Sequence, residues 1–259
     1  MTAFNRHFAH WPPGVPRTLE VPRTSVYSNL AERAAQHPDR IAIDFYGTRI
    51  TYAELKGEAD ALAGFLQQRC AVRKGDRVLL YVQNSPQYVI AYFAILRADA
   101  VVVPVNTMNR TEEVRHYVED AQASVAIVGQ ELYERIAPLG VPHVIVATHS
   151  DFLRTKTDLP IPDFIRAPRA AAGGIAWRDV MAAGLKPGEH RAGPDDLAVM
   201  PYTSGTTGKP KGCMHTHASV QSTTVPYLYW RGASEDSVVL SALPMFHVTG
   251  MQAGMNAPL

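Results

Sequence analysis

Short apolar runs alternate with capped amphipathic stretches through the first 147 residues, and this alternation restricts the chain to few architectures. Residues 25–36 read as an amphipathic helix ended by Pro38, and 41–45 as a strand that turns at Gly47. Thr51 and Glu54 have the spacing of a capping box, so a helix is expected to start there and run through Leu55, Leu62 and Leu66 towards Arg69. Residues 77–82 read as the next strand. Ser85 offers a cap and Pro86 a first-turn proline for a helix over 87–97, which leads into a buried strand at 100–103. Thr111 is expected to cap a helix reaching Ala121, followed by strands at 125–128 and 144–147. Strand and helix signals in this order predict an α/β fold of parallel sheets flanked by helices.

Residues 148–174 are rich in Pro, Ala, Asp and Arg and carry little periodicity, so they read as a surface connection. The expected organisation is an amino-terminal extension (1–24), a first α/β lobe (25–147), a surface connection (148–176) and the start of a second α/β lobe (177–259). A connection of that length is unusual inside a compact domain and is a place for mobility or partner contact; a variable surface insertion is the plainer reading.

The chemistry concentrates in Tyr202-Thr203-Ser204-Gly205-Thr206-Thr207-Gly208-Lys209-Pro210-Lys211-Gly212. Hydroxyls donate to phosphate oxygens, glycines let backbone N–H groups approach an anion, and Lys209 and Lys211 add positive charge. The preceding residues 197–202 read as a buried strand and those from Ser219 onward as a helix. The loop is therefore expected to join strand to helix, where open α/β sheets bind ligands. It is not a Walker loop. That motif needs four residues between Gly and Gly-Lys and a Ser or Thr after the Lys, whereas this chain has two and then Pro210.

With Met214, His215 and His217 after it, the string resembles the phosphate loop of the acyl-adenylate-forming enzymes: acyl-CoA synthetases, luciferases and peptide-synthetase adenylation domains. A second string, Leu243-Pro244-Met245-Phe246-His247-Val248-Thr249-Gly250, is similar to fatty-acid and aryl-acid CoA ligases. The likeness runs from about Ser25 and takes in residues 50–55 and 103–106. It implies the fold of part of a large amino-terminal domain. It also implies two steps: a carboxylate attacks the α-phosphate of ATP and pyrophosphate leaves, then coenzyme A takes the acyl group. Thr203, Ser204, Gly205, Thr206, Thr207, Gly208 and Lys209 would then contact phosphate, with Lys211 less firmly placed, and Thr203 would also lie near Mg²⁺. His247 would border the acid and orient its carboxylate; a general base is not needed, because a carboxylate is ionised at neutral pH. Phe246 and Met251 would either line the acid pocket or pack the core. The family's adenine and ribose motifs and its adenylation lysine do not occur here, so the chain is expected to be the amino-terminal part of a larger synthetase that makes no acyl-CoA alone.

Composition bounds the rest. Lys and Arg number 25 against 24 Asp and Glu, a net charge of +1 that favours no nucleic-acid partner. The start lacks the apolar stretch of a secretory signal and no run reaches membrane-spanning length, so the cytoplasm is the expected compartment. Cys70 and Cys213 have no metal spacing and read as reduced, structural thiols. His215 and His217, without an acidic or Cys partner nearby in sequence, read as hydrogen-bonding residues, and Tyr227, Tyr229 and Trp230 as core. A fatty acid is the favoured substrate and a homodimer stays open. Two other readings also stay open: a non-catalytic nucleotide-binding fragment, and an aryl- or amino-acid-adenylating relative.

Overall fold

The computed structural model describes residues 6–170, 173–203 and 208–259. A hairpin of β1 (Ile41–Phe45) and β2 (Thr48–Thr51) turns through Tyr46 and Gly47 at φ 50° and 84°. Positive φ at both central residues is what a tight two-residue hairpin requires, and Gly47 meets it without strain. The main sheet is built from β3 (Arg77–Tyr81), β4 (Val101–Pro104), β5 (Val125–Gly129), β6 (His143–Ala147), β7 (Ile175–Ala176), β8 (Leu197–Val199) and, after a second hairpin of β9 (Tyr202–Thr203) and β10 (Lys211–Gly212), β11 (His215–Thr216). Its order is β11-β8-β4-β3-β5-β6-β7, parallel throughout except for β11 on β8.

Thr51 and Ser85 act as the caps expected of them, and Ser25, expected as the first residue of a helix, is instead its cap. Ser25, Thr51 and Ser85 cap α1 (Val26–Gln36), α2 (Tyr52–Gln68) and α3 (Pro86–Arg97) by accepting from the third residue beyond each. The first turn of α4 (Thr111–Ala121) differs. Arg110 is the cap residue and Thr111 already lies in the helix, because the Glu113 carboxylate accepts from the Arg110 N–H at 2.8 Å and ties off the start from inside. Shorter helices are α5 (Tyr133–Ile136), α6 (Asp163–Arg166), α7 (Trp177–Ala182) and, beyond the long α8 (His217–Arg231), α9 (Val248–Met251).

Both faces of the sheet are buried, which explains why its strands read as continuous apolar runs rather than alternating ones. On β3, Val78 and Leu80 join α1, α2 and α3 in one core cluster, while Leu79 and Tyr81 join α4 residues Val114 and Tyr117 in the other. Every residue of α3 from Pro86 to Leu96 is buried. At about 2 kcal/mol for each large side chain removed from water, Tyr88, Ile90, Tyr92, Phe93, Ile95 and Leu96 make this helix the pivot of the core.

The 148–176 segment does not divide the sheet. Strands from both sides of it enter the same seven-stranded unit, and its own last residues supply the edge strand β7. Phe152 and Ile165 within it are buried, and Arg154 pairs with Glu54 and Glu58 of α2. The aromatic group at the end of α8 is also not core: Tyr229 and Trp230 are about half exposed, and Trp230 meets Trp11 edge-on at 5.1 Å.

Candidate functional site

Strands β8, β4 and β3 are neighbours and parallel, so their carboxyl ends share one edge of the sheet, the edge where α/β folds collect ligands. Two of the segments singled out in the sequence meet the chain here. The Thr/Gly/Lys loop follows β8 directly, and the Pro244–Gly250 turn is tied to the connection that follows β3.

The loop does not run from strand to helix. Tyr202–Thr203 pairs antiparallel with Lys211–Gly212, so the loop is the tip of a hairpin, and α8 begins only after β11. Two-residue strands carry no periodicity, which is why the pattern of the sequence did not reveal them. Helix α4 holds this hairpin at β9 and at the residue before β10. Tyr202 Oη donates to Asp120 Oδ2 at 2.5 Å, its ring lies 4.2 Å from that of Tyr117, and His116 Nε2–H donates to the Pro210 carbonyl at 2.7 Å. Burial, with the nearby Asp120 carboxylate, pushes the Tyr202 phenol well above its usual range, so it remains a donor at any working pH.

Of the expected phosphate contacts, Ser204, Gly205, Thr206 and Thr207 lie outside the described residues. Thr203 is exposed at the end of β9, its hydroxyl 3.7 Å from Cys213 Sγ. Gly208, at φ 156° with open space where a Cβ would sit, and Lys209 are exposed; Lys211 is exposed on β10. The described part of the loop thus presents a hydroxyl and two ammonium groups to solvent on a braced frame. Among the described residues no group of three or more His, Cys, Asp or Glu side chains could hold a metal ion.

His247 is the cap residue of α9. Its Nδ1 accepts from the Thr249 N–H at 3.2 Å, which places the ring proton on Nε2 and makes that atom a donor. The ring is exposed. Met251, in contrast, is buried in the core, and Phe246 is half-buried against it. Gly250 is needed by the turn itself, since a Cβ there would stand 2.1 Å from the Pro244 carbonyl oxygen.

The paired histidines divide between two roles. His215 lies on β11, while His217 is buried and its Nδ1 accepts from the Val26 N–H at 3.0 Å, joining the starts of α1 and α8. Burial, and then the neighbouring His190, pull its pKa down to about 4. Cys70 is a buried free thiol whose pKa burial pushes up to about 11; Cys213 is free and partly exposed. No sequence signal marks Asn84, which bonds the backbone on both sides of Pro244.

The profile of AMP-binding enzymes matches residues 30–259. Curated relatives include the long-chain-fatty-acid–CoA ligase of Bacillus subtilis, 31% identical over 96% of this chain and 47% of its own length. The corresponding ligase of Escherichia coli O157:H7 is 30% identical over 92% and 45%. A feruloyl-CoA synthase from Amycolatopsis is 32% identical over 85% and 39%. The chain therefore spans about half the length of the long-chain ligases it matches. Among solved structures, the long-chain-fatty-acid–CoA ligase of Archaeoglobus fulgidus superposes with a TM-score of 0.75 at 27% identity, covering 95% of this chain and 48% of that one. The ATP-bound MatB of Rhodopseudomonas palustris does so with a TM-score of 0.71 at 27% identity, covering 91% and 43%. The sheet, its flanking helices and the match over residues 30–259 agree: the chain belongs to the AMP-binding enzyme family.

Proposed function

We propose that this chain supplies the phosphate-binding and acid-positioning part of an ATP-dependent acyl-CoA ligase. The observation that carries this reading is the pairing of two loops at one sheet edge: a braced hairpin presenting Thr203, Lys209 and Lys211, and a turn presenting the Nε2–H of His247.

In the adenylation step the segment Ser204, Gly205, Thr206, Thr207 and Gly208 binds the β- and γ-phosphates. Lys209 offsets the charge that develops on departing pyrophosphate, a contribution of about 3 kcal/mol for a well-placed donor; Lys211 adds to the local field. The His247 Nε2–H donates to one oxygen of the acid's carboxylate and leaves the other free to attack the α-phosphate. No proton is abstracted. Mg²⁺ keeps most of its water and binds through substrate phosphates and few protein oxygens, so from this chain the exposed Thr203 hydroxyl would hold it. When bound it supplies charge neutralisation on the phosphates. Coenzyme A receives the acyl group in the second step. The cytoplasm is the proposed compartment; no described helix is long and apolar enough to cross a membrane.

A fatty acid is the proposed substrate, in line with the long-chain ligases that match over nearly the whole chain. An aryl acid is the second reading, favoured by the feruloyl-CoA synthase relative. Product analysis with the gene product that carries these residues tests both. Given ATP, Mg²⁺, coenzyme A and a panel of fatty and aryl acids, it yields AMP and the acyl-CoA of a fatty acid. Turnover confined to aryl acids selects the second reading, and release of ADP in place of AMP refutes both.

A further inference from the structure

Residues 237–243, which lead into the His247 turn, have no regular structure, and Val238, Leu240 and Leu243 among them are exposed. One side chain from a distant part of the sequence fastens this segment. Asn84, just past the carboxyl end of β3, donates from Nδ2 to the Leu243 carbonyl at 2.8 Å and to the Ser241 carbonyl at 3.4 Å, and its Oδ1 accepts from the Met245 N–H at 2.8 Å. Tyr88, fully buried on α3, adds a bond from its hydroxyl to the Met245 carbonyl at 2.9 Å. The backbone polar groups of Met245 are thus both taken by side chains of the β3–α3 unit, the most buried part of the core.

The turn beyond is closed on itself. The His247 N–H donates to the Pro244 carbonyl at 3.1 Å, the Met251 N–H to the His247 carbonyl at 2.9 Å, and Gly250 packs against Pro244 too closely for any Cβ. A displacement at 243–245 is therefore passed on to the His247 ring rather than absorbed between them. We infer that Asn84, assisted by Tyr88, is a positioning residue that sets where His247 meets the acid's carboxylate, by hanging the turn on the central strand. The inference rests on the reading that this turn borders the acid.

The test uses steady-state pyrophosphate exchange by the gene product, with the KM of the acid and of ATP measured separately. Asn84→Asp is the decisive variant, because it keeps size and the acceptor for Met245 but cannot donate to the Leu243 carbonyl. Asn84→Asp and Asn84→Ala are both expected to raise the acid KM about tenfold while the ATP KM stays within about twofold, the loss that one misplaced bond to a charged group produces. A role in packing alone leaves Asn84→Asp at the wild-type acid KM and overturns the inference. His247→Ala separates the two claims: an unchanged acid KM there refutes the reading of the turn itself, whereas a raised one alongside normal Asn84 variants refutes only the positioning role. Hydrogen exchange on the unmutated protein gives an independent check should the variants fail to fold. The Met245 amide is expected to be protected while those of residues 238–241 exchange rapidly, and equal exchange overturns the clamp.

Discussion

Acid should weaken this fold through one residue, His217. Its side chain is 1% exposed and held neutral, with Nδ1 accepting from Val26 N–H; burial comes first among the causes of its lowered pKa, then His190, while Asp196 and Asp99 act in the opposite sense. Above pH 6.5 neither the folded nor the unfolded chain protonates this ring. Between 6.5 and about 4 the unfolded chain binds a proton that the folded chain refuses, so stability falls as pH falls. At about 1.4 kcal/mol per pH unit the loss across that window comes to about 3 kcal/mol, a large share of a domain's 5–15 kcal/mol. Asp99 and Asp196 are held below the usual carboxylate range, so their stabilisation is lost mainly below pH 4 and stays out of the window. The assay is urea unfolding of the 259-residue chain from pH 8 to pH 4, beside His217→Asn, which keeps an acceptor for Val26 but has no titrating ring. The variant should start less stable and lose about 3 kcal/mol less on acidification. Parallel pH profiles for the two proteins would refute the assignment.

Three further outcomes are expected. Tyr202→Phe removes the bond to Asp120 from the hairpin stem and should cost about 1 kcal/mol of stability, with a raised KM for ATP and an unchanged KM for the acid; equal effects on both count against a local role. Gly250→Ala should cost about 3 kcal/mol or more in urea unfolding, because its Cβ collides with backbone that cannot swing aside; a change below about 0.5 kcal/mol contradicts the tight turn. In the native chain a thiol reagent at pH 8 should modify Cys213 and spare Cys70, whose thiol is buried and whose pKa is raised to about 11; labelling of both at similar rates contradicts that burial.

Much of the architecture is written locally. Thr51 and Ser85 cap the helices expected of them because an N-cap depends on a few adjacent residues, and the apolar runs at β3, β4 and β5 announce strands covered on both faces. The parts that eluded sequence reasoning are long-range or too short to have a period. Arg110 displaces Thr111 as the α4 cap because Glu113 acts from inside the helix. The β9–β10 stem is two residues deep on each side, and its bracing comes from α4, some 80 or more residues earlier. The composition of the Thr/Gly/Lys loop is legible, since hydroxyls, glycines and lysines carry their chemistry with them; the frame that holds it is not. Asn84 is the extreme case: an ordinary Asn before Ser-Pro, its role is set wholly by a segment 159 and 161 positions away. Tyr229 and Trp230 are exposed against the expectation of core, because aromatic content speaks of burial only on average.

Acid-dependent exchange of labelled pyrophosphate into ATP, run with the gene product that carries this chain and with the 259-residue chain beside it, tests the central claim most directly. The account predicts exchange with a fatty acid in the former, abolished without acid and reduced at least tenfold by Lys209→Ala, and none with the 259 residues alone. Exchange that needs no acid, or that survives Lys209→Ala undiminished, would contradict it.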